Sequence, residues 1–194
     1  MNFLIHLYLS GDDPDLLVGN LMGDFVKGRL TGEFPFRIER GIDLHRRIDS
    51  FAGRNRHFIR SKRRLDESFG HYRGVLVDLF YDHFLAIHWE DYSKWPFLQS
   101  LADAYRILRN NRDVLPERLQ RILPDMFEVW LPSYREMGGI ATALQRMSLR
   151  IHRENKLGEG GGELSRHYDE LYGDFSEFLP ELVKMSHEEL EMFR

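Results

Sequence analysis

Three short runs in this chain combine residue types and spacings that could do chemistry. The first is Asp78-Leu79-Phe80-Tyr81-Asp82-His83. Residues four apart on a helix share a face, so Asp78 and Asp82 project together, with His83 about 100° around from Asp82. They interrupt a largely apolar stretch from Val75 to Leu85. An unpaired buried carboxylate is costly, so these two call for arginine partners, a metal ion or a solvated face. The second run is His45-Arg46-Arg47-Ile48-Asp49. An imidazole and a carboxylate four apart suit chelation, or a pair in which the carboxylate orients the ring. A surface helix with Asp49 paired to Arg46 is the plain alternative. The third is Gly19-Asn20-Leu21-Met22-Gly23-Asp24. Gly19 and Gly23 leave a bare stripe that another backbone or a ligand can approach, and Asn20 and Asp24 lie on one face beside it. Close helix packing would explain the same stripe. His6, on the apolar opening segment, reads by itself as a core histidine.

The chain has no cysteine, which removes disulfides, thiolate catalysis and zinc-thiolate sites together. Any metal must therefore use His, Asp, Glu or water. That donor set suits a divalent ion such as Mn²⁺ or Mg²⁺, and it favours water activation over redox work. No phosphate-cradling glycine loop or serine nucleophile elbow is present. A separate feature is the run Arg54, Arg56, Arg60, Lys62, Arg63 and Arg64, uninterrupted by an acidic residue. It is either a solvated basic helix or a docking face for an acidic or phosphorylated partner. The formal net charge of −4 argues against bulk nucleic-acid binding.

The elements that would carry these residues read as helices. Strict alternation over strand lengths is scarce, and Asn-Gly or Asp-Gly hairpin signals are absent. Asp13-Pro14 fits an N-cap and first helical residue. Further helices are expected from about Phe36 to Phe51, Arg54 to Leu65, Tyr72 to His88, Pro96 to Asn110, Pro116 to Val129, Pro132 to Met137 and Ile140 to Glu154. The stretch Gly158 to Gly162 is expected to be a mobile loop. Helical periodicity then resumes from Leu164 to Glu191, with a break near Pro180. With 42% hydrophobic and 30% charged residues over 194 positions, the economical expectation is one all-α domain spanning 1–194. The opening segment lacks a basic n-region, so no signal peptide is expected. No apolar run approaches the roughly 20 residues needed to span a membrane, and a cytoplasmic location follows as the expectation.

The blocks Met1-Asn2-Phe3-Leu4-Ile5-His6-Leu7, Gly19-Asn20-Leu21 with Asp24-Phe25-Val26, Gly41-Ile42 with His45-Arg46-Arg47-Ile48-Asp49, and Asp78 with Asp82-His83-Phe84-Leu85 resemble the acyl carrier protein phosphodiesterase family. The similarity continues through Tyr134-Arg135, Met147-Ser148 with Arg150, and His167-Tyr168. The resemblance implies a compact helical fold distantly like the HD phosphohydrolases, and a divalent metal with Mn²⁺ preferred. It implies a candidate metal set of Asp24, His45, Asp49, Asp78, Asp82 and His83, with His6 and Asn20 nearby. Where the family pattern has His-Leu-His, this chain has His6-Leu7-Tyr8. Asp82-His83 also reverses the order that names the HD enzymes, so their ligand assignments do not carry over.

The implied reaction is hydrolysis of the phosphodiester joining 4′-phosphopantetheine to a serine of holo-acyl carrier protein, by metal-activated water. On that reading Asp24, His83, His6 and Arg46 are the catalytic candidates, with His83 or His6 as acid and Arg46 or Arg47 on a phosphoryl oxygen. Arg54 to Arg64 would dock the acidic carrier protein; nucleic acid and membrane are not expected partners. A nucleotide phosphohydrolase and a non-enzymatic helical adaptor for an acidic partner are the competing readings.

Overall fold

The computed structural model describes residues 1–192. Among them the regular structure is helical, with no strand. The main helices are α1 (Phe3–Tyr8), α2 (Pro14–Met22), α3 (Phe36–Arg54), α4 (Arg56–Arg64), α5 (Arg73–Ile87), α6 (Trp89–Tyr92), α7 (Phe97–Asn110), α8 (Glu117–Asp125), α9 (Leu131–Ser133), α10 (Met137–Leu149), α11 (Gly161–Arg166) and α12 (Tyr168–Met192). A π-helical stretch, Met126–Trp130, joins α8 to α9. The all-α expectation holds. No described helix is long and apolar enough to cross a membrane.

Local chemistry sets several of the boundaries. Asp13 accepts from the amides of Asp15 and Leu16 at 2.9 and 3.2 Å, with Pro14 at the first position of α2. That arrangement satisfies donors which the helix itself leaves unpaired. Asn55 separates α3 from α4 and caps the latter through the amide of His57. α5 is buried along most of its length, Leu76 to Ala86, and the core gathers round it. Tyr81 packs against the rings of Phe58, Phe175 and Phe178 at 5.8, 5.4 and 5.1 Å. Buried apolar side chains form one cluster from Leu4 to Leu182.

Several expectations change. The helix expected from Pro132 to Met137 ends at Ser133, and the one expected from Ile140 to Glu154 runs from Met137 to Leu149. The glycine-rich stretch is a short 3₁₀ turn, Leu157–Glu159, leading into α11. A Cβ on Gly160 would lie 2.2 Å from a methyl of Leu76, so that glycine admits a close approach to α5 rather than loop slack. Pro180 lies inside α12 without ending it. Proline removes one amide donor, and this 25-residue helix, with Leu171, Phe175, Phe178, Leu179 and Leu182 buried, continues through it.

Candidate metal centre

The bare stripe on α2 is filled from α3. A Cβ on Gly19 would fall 2.0 Å from the carbonyl oxygen of Ile38, and one on Gly41 would fall 2.3 Å from that of Leu16. The two backbones touch. One turn further on, a Cβ on Gly23 would strike the ring of His45, 2.1 Å from its Cγ. Small residues at these positions therefore admit α3 and the imidazole of His45 against α2.

Asn20 is fully buried and serves two histidines. Its amide nitrogen donates to the carbonyl of His6 at 2.9 Å and to Ser10 Oγ at 3.0 Å. These bonds fix the amide's orientation, so Asn20 Oδ1 must accept from His6 Nδ1, 2.9 Å away. The main-chain oxygen of Asn20 accepts from His45 Nδ1 at 2.8 Å. Both rings are thereby held with Nε2 turned away from α2, as second partners of metal-binding imidazoles do. The rings stack, with centroids 3.9 Å apart and planes 12° from parallel.

Both Nε2 atoms converge on Asp49. His6 Nε2 lies 3.3 Å from Asp49 Oδ1, and His45 Nε2 lies 3.3 Å from Asp49 Oδ2 and 3.6 Å from Asp24 Oδ1. His6 Nε2 is buried and makes no hydrogen bond. Burial lowers the pKa of His6 to about 4, so near neutrality Nε2 is a lone pair facing a carboxylate oxygen. Two acceptors at that distance need a proton or a cation between them. His6, His45 and Asp49 form the one group of three among the described residues whose ligand atoms could meet on a single ion. Burial opposes charge on His45, but hydrogen bonds and Coulomb attraction from Asp24 and Asp49 prevail and raise it to about 9. Burial also opposes ionisation of Asp49, yet the two imidazoles and the Met1 ammonium hold it well below the usual carboxylate range. The donor set of two imidazoles and carboxylate oxygens fits a divalent ion.

The remaining sequence candidates lie around this corner or away from it. Asp78 Oδ1 is 3.7 Å from the Met1 ammonium, which also meets Asp49. Desolvation raises Asp78 to about 6 against the pull of that ammonium. Asp82 is fully buried on α5 and accepts from the amides of Leu4 and Ile5 at 2.9 and 3.0 Å and from Asn2 Nδ2 at 2.9 Å. It caps α1 across the core. Burial raises its carboxyl to about 7 against those donors. His83 donates from Nδ1 to the carbonyl of Tyr134 at 2.7 Å, and its Nε2 faces Tyr168 Oη at 3.4 Å. Arg46 donates to the carbonyl of Val26 at 3.1 Å, tying the segment after α2 to α3. Arg47 pairs with Asp43 and Glu189.

The basic run is partly neutralised within the chain. Arg60 and Arg64 both pair with buried Asp174, Arg60 also meets Glu177, and Arg56 meets Glu181, all on α12. Lys62 Nζ lies over the ring of Phe58 at 5.5 Å, while Arg54 and Arg63 are exposed. His6 is the residue that spacing undervalued. Its partners lie on α2 and α3, and the one local signal was a histidine on an apolar segment.

An all-α chain without thiols, whose helices bring two oriented imidazoles onto a shared carboxylate, defines a class of helical protein with a candidate divalent-metal centre. The sequence profile of the family described as acyl carrier protein phosphodiesterase matches residues 1–182. A relative of that name from Pectobacterium atrosepticum is 32% identical over 188 residues, covering 96% of this chain and 97% of its own length. Those from Klebsiella pneumoniae and Escherichia coli are each 31% identical with the same coverage. No solved structure matches the chain. The chain belongs to the acyl carrier protein phosphodiesterase family, a family of hydrolases.

Proposed function

We propose that this chain hydrolyses the phosphodiester linking 4′-phosphopantetheine to a serine of holo-acyl carrier protein, releasing apo-carrier protein and 4′-phosphopantetheine. We further propose that it does so with a divalent cation held by His6, His45, Asp49 and Asp24. The observation that carries the metal part is the unbonded Nε2 of His6 set 3.3 Å from Asp49 Oδ1. The family match and the names of the relatives support the substrate. The cation would neutralise charge on the phosphoryl oxygens and lower the pKa of a water towards neutrality. Imidazole nitrogens in the set favour Mn²⁺, with Mg²⁺ the weaker candidate.

The chain's own residues supply orientation. Asn20 accepts from Nδ1 of both rings, so Nε2 is the atom each would offer to a cation. Asp24, half exposed and kept ionised by His45 despite its desolvation, can accept a hydrogen bond from the attacking water. On this reading Asp82 is a positioning residue. It caps α1 through the amides of Leu4 and Ile5, the two residues before His6, and so sets where His6 stands. His83, with Tyr134 and Tyr168 on its two nitrogens, braces α5 against the later helices, and Asp78 balances the ammonium beside Asp49. Carrier-protein docking on the basic run would fall to Arg54, Lys62 and Arg63, the members with no ion pair to α12 among the described residues.

The test is incubation of metal-stripped protein with holo-acyl carrier protein, with and without Mn²⁺, read by intact mass. The expected result is loss of the prosthetic group only when Mn²⁺ is added. Unchanged carrier protein under both conditions would overturn the function, and equal loss under both would overturn the metal requirement.

A further inference from the structure

Beside the metal centre lies a cavity of about 310 Å³ with Asp24 on its wall. That volume is at the lower end of the roughly 300–1,000 Å³ typical of small-molecule sites. Its apolar sides include Phe25, Trp130 and Met147. Three guanidinium groups stand round it: Arg118 from α8, and Arg146 and Arg150 from the end of α10. Arg118 lies over the ring of Phe25 at 6.0 Å, and Arg150 over that of Trp130 at 5.5 Å. None of the three pairs with a carboxylate among the described residues. By contrast, the conspicuous arginines of α4 spend their charge on α12. Uncompensated positive charge is therefore found at the cavity, next to a centre that would act on phosphorus.

We propose that this cavity binds the phosphopantetheine arm of the substrate, its pantetheine chain against the aromatic walls and its phosphate held by Arg118, Arg146 and Arg150. This rests on the function proposed above and adds the site of recognition. The chemistry matches at both ends. An extended chain bearing geminal methyls can cover Phe25, Trp130 and Met147, and arginine forks suit phosphoryl oxygens. Arg146 and Arg150 are four apart at the end of one helix, so they present a shared face. The arm has a single phosphorus, so the phosphate these arginines hold is the scissile one; it would lie at the Asp24 wall of the cavity, the side on which Asp24 meets His45, with the pantetheine chain running away from it along the aromatic walls.

The test is calorimetric titration of the full chain with 4′-phosphopantetheine, with pantetheine, and with apo-acyl carrier protein. Wild type is compared with Arg146→Ala, Thr142→Trp, which fills the cavity from its exposed rim, and Lys184→Ala, which removes an exposed charge on α12. Circular dichroism and thermal melting verify each fold. We expect 4′-phosphopantetheine to bind wild type and to bind Arg146→Ala and Thr142→Trp at least about tenfold more weakly. Pantetheine should be weaker than 4′-phosphopantetheine on wild type, and Lys184→Ala should behave as wild type. Binding of apo-carrier protein should be unchanged in Thr142→Trp. The inference is overturned if 4′-phosphopantetheine fails to bind wild type or binds all variants alike. It is also overturned if apo-carrier protein loses as much affinity as the free arm, since the arginines would then read the protein surface. Turnover of holo-carrier protein by wild type, run in parallel, separates the two claims. Turnover with an indifferent cavity removes only this inference, and no turnover removes the function.

Discussion

The corner where α1, α2 and α3 meet and the Asp82–His83 end of α5 hold similar groups, buried carboxylates beside imidazoles, but differ in how those groups are matched. Asp82 receives two backbone amides and a side-chain amide, and both nitrogens of His83 face partners. In the corner, Nε2 of His6 makes no hydrogen bond, and the Nε2 atoms of both histidines crowd one carboxylate. Buried polar groups are almost always satisfied. A matched cluster holds a fold together, while a buried acceptor left over marks a place where something binds. On the function proposed above, the contrast moves the centre of the chemistry from α5, where the sequence pattern is densest, to the junction of the first three helices.

The largest expected effect is on the corner. His45→Ala should abolish turnover while the far-ultraviolet circular dichroism stays that of wild type. Gly23→Ala should do nearly the same by displacing the ring that lies against Gly23. An active Gly23→Ala enzyme would show that the position of His45 does not matter. Next comes Asn20→Ala, expected to weaken metal affinity or turnover by about 10- to 100-fold, as for other partners that orient a liganding histidine. A change confined to thermal stability would make Asn20 merely a packing residue.

Asp82→Ala should act mainly on stability. Leaving buried amides of α1 without an acceptor costs about 1–3 kcal/mol, measurable by urea titration. If Asp82→Ala keeps its stability but loses all metal binding, the matched and unmatched regions have been assigned the wrong way round. A smaller effect is expected at Asp174, another matched carboxylate. Burial disfavours its charge, but Arg64, Ser61 and Arg60 more than compensate and lower its pKa. A depressed folded pKa adds stability above the unfolded carboxylate pKa, and that stability is lost as pH falls through the folded value. Asp174→Asn should therefore be less stable at neutral pH and show a flatter loss of stability on acidification. Parallel pH profiles for the two proteins would contradict this.

Much of the helical framework was legible because periodicity and capping are local. Asp13-Pro14 starts α2 as expected, and the spacing of His45 with Asp49 and of Gly19 with Gly23 put each pair on a shared face. What spacing could not reveal was who stands opposite. Asp82 caps a helix 77 to 80 residues earlier in the chain, and Arg60 meets carboxylates 114 and 117 residues later. No periodicity encodes such pairings. His6 stayed ambiguous because a histidine among apolar residues looks the same whether its second nitrogen is satisfied or free. The glycine-rich stretch misled because glycine permits both slack and close contact, and here it serves contact with α5.

The central claim is that His6, His45 and Asp49 form a cation site and Asp82 does not. Its most direct test is titration of metal-stripped protein with Mn²⁺, followed by the loss of the free-ion electron paramagnetic resonance signal. Wild type and folded Asp82→Ala should both take up Mn²⁺, whereas Asp49→Ala should leave it free in solution. Uptake by Asp49→Ala equal to that of wild type would contradict the account.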